Sequence, residues 1–259
     1  MIILKNADQL AKMRSAGHLL HDVLLQVREM IVPGITTMDV NVYTDELIRK
    51  AGAIPTEYGY CGFPASICAS IDDEVVHGIP SENVTLTEGS ILSVDVTLAL
   101  DGWQADSAFT VPVGRASDEK MQLIRVTEEC FWKGAAQAIN GNRIGDIGYA
   151  VQSHAEMHGY SVVRDLTGHG IGRKMHEDPS VPNFGLPGHG SRLRPGMTFC
   201  VEPMIAMGKW QVHQLADGWT IVTNDHKPSA HYEHTIAVTA QGKPEILTLP
   251  GAEWEEKTE

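Results

Sequence analysis

No apolar run in this 259-residue chain approaches the roughly 20 residues that a bilayer-spanning helix needs. The N-terminal stretch turns polar after Met1–Leu4, so it also lacks the long apolar core of a secretory signal. These two absences predict a cytoplasmic protein without a membrane partner. They also strip the Asn83-Val84-Thr85 sequon of meaning, because glycosylation requires secretion. Cysteine is scarce. Cys61, Cys68, Cys130 and Cys200 show no CxxC spacing, which excludes a disulfide scaffold at this length and predicts reduced, buried thiols. Positive charge is scarce too: 20 Lys and Arg against 33 Asp and Glu leave a net charge of -13. Such an excess repels nucleic-acid phosphates, so no direct nucleic-acid partner is expected.

Several catalytic motifs are absent as well. There is no GxSxG and no phosphate loop. GHGIG (168–172) lacks the strand–helix context of a dinucleotide fingerprint. HAEMH (154–158) carries its glutamate third, whereas a zinc-protease helix needs it second, so Glu156 falls on another face and reads as surface. Nothing local supports Cys61 or Cys68 with His77 as a thiol–imidazole pair.

The sequence does contain an internal repeat. Residues 33–52 resemble 140–159, with Gly34, Asp39, Val40 and Gly52 matching Gly141, Asp146, Ile147 and Gly159. Residues 86–95 resemble 193–202, with Leu86, Gly89, Val94 and Asp95 matching Leu193, Gly196, Val201 and Glu202. Both blocks share one offset, 107 positions. The period is too long for a solenoid and points to two similar halves about a pseudo-two-fold axis. Each half predicts a helix capped near Asp39 or Asp146, ended at Gly52 or Gly159, and followed by strand-rich sequence. No Pro/Ser-rich linker intervenes, so one α+β domain over 1–259 is expected, with halves of about 1–125 and 126–250. The acidic tail 251–259 reads as a solvated end.

ILSVDVTLAL and WQADSAFTVPV flank Asp101-Gly102, a strong tight-hairpin signal. With those two residues as the turn, Thr97 faces Asp106, and Asp95 shares their face on the diagonal. Like charges so placed repel unless a cation lies between them or one is protonated. Asp95 sits in an apolar strand, Glu202 occupies the equivalent place in FCVEPM, and Glu233 lies in HYEHTI. Buried carboxylates need arginines, protons or metal ions; otherwise each must point to water from an exposed sheet face. Four of them, two related by the repeat, favour a shared cation site. His169, in the Gly-rich segment LTGHGIGRKMHEDP, adds one imidazole. Four carboxylates and an imidazole without thiolate suit Mn, Fe, Co or Zn rather than a structural zinc cage, and two divalent ions would balance the four negative charges.

The ordered set SVDVTL, ADSAFTV, GHGIGRKMHEDP, FCVEPM and HYEHT resembles the bacterial-type type I methionine aminopeptidases, metallopeptidases of pita-bread fold. The resemblance runs from the first helix to about Leu249. It implies two pseudo-symmetric α/β halves around a central antiparallel sheet, and a centre of two divalent ions with a bridging water or hydroxide as nucleophile. By motif, Asp95, Asp106, His169, Glu202 and Glu233 are the implied metal ligands, Asp106 and Glu233 bridging, Asp95 on one ion, His169 and Glu202 on the other. His77 and His176 match the active-site histidines, and Glu202 the general base. Tyr60, Phe63, Cys68 and Trp219 match the lining of the methionine pocket. Met175 stands where the family often has an aromatic residue, which alters a wall and not the chemistry. The implied partner is the N-terminal methionine of nascent polypeptides, with ribosome association compatible and a monomer implied. The early first helix predicts no zinc-binding N-terminal extension, and the short His169-to-Glu202 spacing excludes the type II insertion. Proline-specific aminopeptidases of the same fold, a non-enzymatic peptide-binding relative and a metal-stabilised structural protein are the competing readings.

Overall fold

Asp101 and Gly102 turn the chain with both residues at positive φ, 52° and 74°, the twist that a two-residue hairpin requires. The hairpin they close is the longest pairing in the computed structural model, which describes residues 1–252 and 254. In chain order the helices are α1 (Ala7–Met30), α2 (Thr37–Lys50), α3 (Asp118–Ala135) and α4 (Ile144–Met157). The first strands are β1 (Ile54–Pro55), β2 (Cys68–Ile71), β3 (Glu74–Val76), β4 (Ile91–Leu100) and β5 (Trp103–Pro112). Next come β6 (Ser161–Val162), β7 (Gly168–Gly170), β8 (Glu177–Val181), β9 (Thr198–Val201) and β10 (Met204–Ala206). Last are β11 (Val212–Gln214), β12 (Ile221–Thr223), β13 (Ser229–His231), β14 (Glu233–Ala237) and β15 (Glu245–Ile246).

The central sheet is antiparallel and runs β1-β4-β5-β14-β9-β7-β8, with β2 added on β4 and β15 on β14. α1 packs on β4 and β5, and α2 packs on α1, β1 and β2, over one apolar cluster that includes Leu20, Val27, Val94 and Phe109. α3 and α4 cover the other half, where Phe131, Ile147, Phe199 and Ile236 are buried. Two small sheets, β13-β10-β6 and β11-β12-β3, flank the large one. Among the described residues no helix is long and apolar enough to cross a membrane.

The two halves repeat bond for bond. The Gly34 N–H donates to the Leu86 carbonyl and the Gly141 N–H to that of Leu193. Leu86 and Leu193 donate in turn to Ile35 and Asn142, and Thr37 and Ile144 donate to Val84 and Ser191. Isolated bridges join Thr36 to Thr85 and Arg143 to Arg192. Every one of these pairs keeps the offset read in the sequence.

The helices are capped near Asp39 and Asp146 as expected: each aspartate is the third residue of its helix, and its carboxylate accepts the backbone N–H of the cap, Thr36 or Arg143. Two local expectations need correction. Of the four free thiols, Cys61 is exposed while the others are buried. The tail is not wholly solvated, since Trp254 meets Trp132 edge-on, with ring centroids 5.4 Å apart; the rest of it beyond Ala252 lies outside the described residues.

Candidate metal centre

Strand register assembles the cluster. Thr97 pairs with Asp106 and Asp95 with Ala108 across β4 and β5, and Ala108 pairs again with Glu233 of β14. Asp95, Ala108 and Glu233 therefore form a row over three strands, and paired residues project to the same face. The methyl group of Ala108 leaves open the space between the two carboxylates. Asp106 lies one pleat away, its backbone N–H bonded to the Thr235 hydroxyl.

Glu202 sits in one of two matched breaks, and Glu233 directly follows the other. β9 ends at Val201 and β10 begins at Met204, with Glu202-Pro203 between; Tyr232 interrupts β13 and β14 opposite, its N–H bonded to the Pro203 carbonyl. Two strands leave the central sheet together there and enter a small one, turning Glu202 inward. His169 lies in strand β7, not in a loop, despite its flanking glycines. A β-carbon at Gly168 would strike the Cys200 carbonyl oxygen, and one at Gly170 the Asp178 carbonyl. The glycines thus let β7 press between β8 and β9, which brings His169 over the cluster.

All five predicted ligands and all seven predicted pocket and active-site residues line one cavity. Nε2 of His169 stands 3.6 Å from Asp106 Oδ2 and 3.6 Å from Glu202 Oε1, too far for hydrogen bonds. The donor atoms of Asp106, His169 and Glu233 lie within 4.8 Å of one another. Asp95 Oδ1, Asp106 Oδ1, Glu202 Oε1 and Glu233 Oε1 are buried with no hydrogen-bond partner. Among the described residues no lysine or arginine pairs with any of these four acids; their only ion-pair neighbours are histidines. Burial pushes all four carboxyls above their ordinary range, and mutual repulsion adds to it at Asp106, Glu202 and Glu233. Burial also pushes the His169 ring down to about 3, leaving it a neutral donor. Buried oxygens that lack protein donors and repel one another are the demand that two divalent cations satisfy, so the donor set fits such ions.

Around the cluster, Phe63 meets Trp219 edge-on with ring centroids 5.1 Å apart, and His77 stands 6.4 Å from Trp219. Cys68 and Met175 complete the apolar side, both buried. His77 has φ of 60°, a conformation costly for a residue with a β-carbon and found where function holds it. His176 is exposed at the mouth, its Nδ1 2.8 Å from the Tyr60 hydroxyl and its ring 4.0 Å from that of His169. Cys68 is no nucleophile: it donates its thiol to Glu57, and burial pushes its pKa far up.

Three further groups reach this cavity or its wall without having been singled out in the sequence. Glu57 is buried, accepts the Thr97 N–H at 2.9 Å and the Cys68 thiol at 3.1 Å, and burial holds its carboxyl above the usual range. Cys200 lies among the donors of Asp106, His169 and Glu233, protonated because burial and the nearby carboxylates raise its pKa. His231 is 1% exposed and faces Glu233.

Comparison with known proteins gives a consistent set of relatives. Residues 11–240 match metallopeptidase family M24. The methionine aminopeptidase of Clostridium acetobutylicum is 48% identical over 249 residues, which cover 96% of this chain and 99% of that protein. The crystal structure of methionine aminopeptidase from Rickettsia prowazekii superposes with a TM-score of 0.94 at 44% identity, covering 96% of this chain and all of that one. An Xaa-Pro dipeptidase from Bacillus anthracis shares the fold, with a TM-score of 0.77 at 21% identity, and this chain covers only 63% of it.

Proposed function

The chain belongs to metallopeptidase family M24, in the branch of the methionine aminopeptidases, and we propose that the carboxylate–imidazole cluster is where it hydrolyses the bond after an N-terminal methionine. It is a metal-dependent exopeptidase of pita-bread fold. The observation that carries the site is the set of buried carboxylate oxygens with neither donor nor cation of the protein's own.

In this reading Asp106 and Glu233 would be held in common by two divalent ions, Asp95 would hold one of them, and His169 and Glu202 would hold the other. When bound, such ions acidify water and polarise a carbonyl. Glu202 would take the proton of the attacking water and hand it to the departing amine, since its carboxylate is aimed into the cavity beside His169. Nδ1 of His176 lies 2.8 Å from the Tyr60 hydroxyl, and in this reading the hydroxyl donates, which places the ring's proton on Nε2. Nε2–H is then free to donate to the substrate carbonyl oxygen as negative charge gathers on it. His77, held in its left-handed conformation, positions the scissile nitrogen. Phe63, Cys68, Met175, Trp219 and Tyr60 enclose an unbranched thioether, to which aromatic and sulfur surfaces are suited.

Asp95 and Asp106 come from the first half and His169, Glu202 and Glu233 from the second. On this reading the halves, about 1–125 and 126–250, act as one catalytic unit. The reading extends to nascent chains in the cytoplasm, met at the ribosome by a monomeric enzyme using Co, Mn, Fe or Zn, and there it rests on the family resemblance alone.

The test is to strip the protein of metal and follow methionine release from Met-Ala-Ser while Mn, Co, Fe or Zn is titrated back. Activity should be absent without metal, return with it, and not extend to Ala-Pro-Ser. Metal binding to folded protein without cleavage of either peptide would reject the catalytic reading.

A further inference from the structure

His231 and His234 are both buried, yet their rings are treated oppositely. Nδ1 of His234 lies 3.0 Å from the Ser107 hydroxyl and 2.9 Å from that of Thr248, and its Nε2 lies 3.1 Å from the Tyr232 hydroxyl. That is an ordinary satisfied interior histidine. His231 is 1% exposed, and neither ring nitrogen has a hydrogen-bond partner. Leaving buried polar atoms unpaired costs stability, so the ring calls for a partner outside the protein.

The backbone holds the ring in place. The His231 N–H donates to the Thr110 hydroxyl at 2.9 Å, and the same hydroxyl donates to the His231 carbonyl at 2.8 Å. The residue also pairs with Met204 at the end of β13. Thus clamped, His231 presents Nε2 3.5 Å from Glu233 Oε2, and the donor atoms of Asp95, His231 and Glu233 lie within 4.8 Å of one another. Two ligands each about 2.1 Å from one ion at a tetrahedral angle stand about 3.4 Å apart. The 3.5 Å of His231 matches that edge, as do the 3.6 Å separations of His169 from Asp106 and Glu202.

We propose that His231 is a sixth protein ligand, binding through Nε2 the ion that Asp95 holds. The proposal rests on the two-ion reading above. With it the donor sets become equivalent: one imidazole, one terminal carboxylate and two shared carboxylates for each ion. The Asp95 site then has the nitrogen donor that intermediate transition metals favour, where the five-ligand set leaves it carboxylates alone.

The experiment uses the full-length protein loaded with Co(II). In wild type, proton NMR should show two strongly shifted, solvent-exchangeable imidazole N–H signals, one from His169 and one from His231. In His231→Gln only one should remain. The weaker of the two stepwise Co(II) affinities should fall by more than the roughly 10- to 100-fold that loss of an outer hydrogen bond costs. A single shifted signal in two-ion wild type overturns the proposal, and it does so even if the variant fails to fold. So do unchanged affinities in a folded His231→Gln, and so does a modest loss with one wild-type signal, which would make His231 only an orienting neighbour of Glu233. Wild type that binds fewer than two ions would instead overturn the two-ion reading itself, and this proposal with it.

Discussion

At the scale of single residues, the chemistry turns on groups that one neighbour holds in place. His176 is anchored through Nδ1 to the Tyr60 hydroxyl and offers its other nitrogen to the substrate carbonyl in the reading above, so removing the ring should act on the transition state more than on binding. His176→Ala is expected to lower kcat by roughly 100- to 1000-fold, the usual loss for one oxyanion donor, with little change in KM. Steady-state kinetics on Met-Ala-Ser checks this, and a variant with full kcat would remove His176 from the mechanism. Glu202→Gln should lose activity and one metal affinity together, read by turnover and by Co(II) titration; an active, fully loaded variant would count against both roles. Asp95, Asp106, Glu202 and Glu233 could be found in the sequence because carboxylates within apolar strand patterns are conspicuous. Glu57 could not. It follows Ile54-Pro55-Thr56 in a polar stretch, and it is buried only because β1 pairs with β4 and brings it under the Thr97 N–H. His231 was hidden for another reason: its neighbours along the chain say nothing of the row Asp95–Ala108–Glu233 beside which it lies.

At the scale of elements, the β4–β5 hairpin was readable to the residue, because Asp-Gly fixes both turn type and register. Once register is known, alternation decides which acids share a face. β7 was not readable: three residues, two of them glycine, carry no strand propensity, and the strand exists because small residues let it pack between two others. The break at Tyr232 was equally silent, whereas the one at Glu202-Pro203 carries a signal, a proline that cannot donate to a ladder. The packing of β7 gives a prediction. In Gly168→Ala the new methyl meets the Cys200 carbonyl oxygen and stands 3.2 Å from the β-carbon of Val181, both on neighbouring strands. The strand must shift, at a cost of about 1–3 kcal/mol by analogy with overpacked cores. His169 shifts with it. Urea unfolding should show the lost stability, and Co(II) titration a weakened site. Lost stability with unchanged metal affinity would mean that β7 moves without carrying the imidazole.

At the scale of the whole molecule, the repeat explains why the cluster sits where it does. The halves meet where β5 pairs with β14, and the donors converge on that seam, so the charge that would repel them is concentrated in one place. Stability and metal loading should therefore depend on pH together. Burial holds Asp106, Glu202 and Glu233 above their ordinary values in the folded, metal-free protein. Stability from a carboxyl with a raised folded pKa is present below its unfolded value and is lost as pH rises through the folded one. His169 and His231 act in the opposite direction. Their folded values are about 3, so the stability they contribute is complete above the ordinary histidine value of 6.5 and lost as pH falls below it. Between pH 6.5 and 8 the histidines' opposing contribution fades as the unfolded chain loses its last imidazole protons, and the carboxyls come to set the slope. Metal-free protein should then lose stability with rising pH, by up to about 1.4 kcal/mol per pH unit for each proton the folded state retains. Bound divalent ions displace those protons and bind more tightly as pH rises. The gap in Tm between metal-loaded and metal-stripped protein should accordingly widen from pH 6.5 to 8. Differential scanning calorimetry of both forms across that range measures it. A gap that stays constant would mean that the four acids are already ionised without metal, and that something other than divalent charge is holding them together.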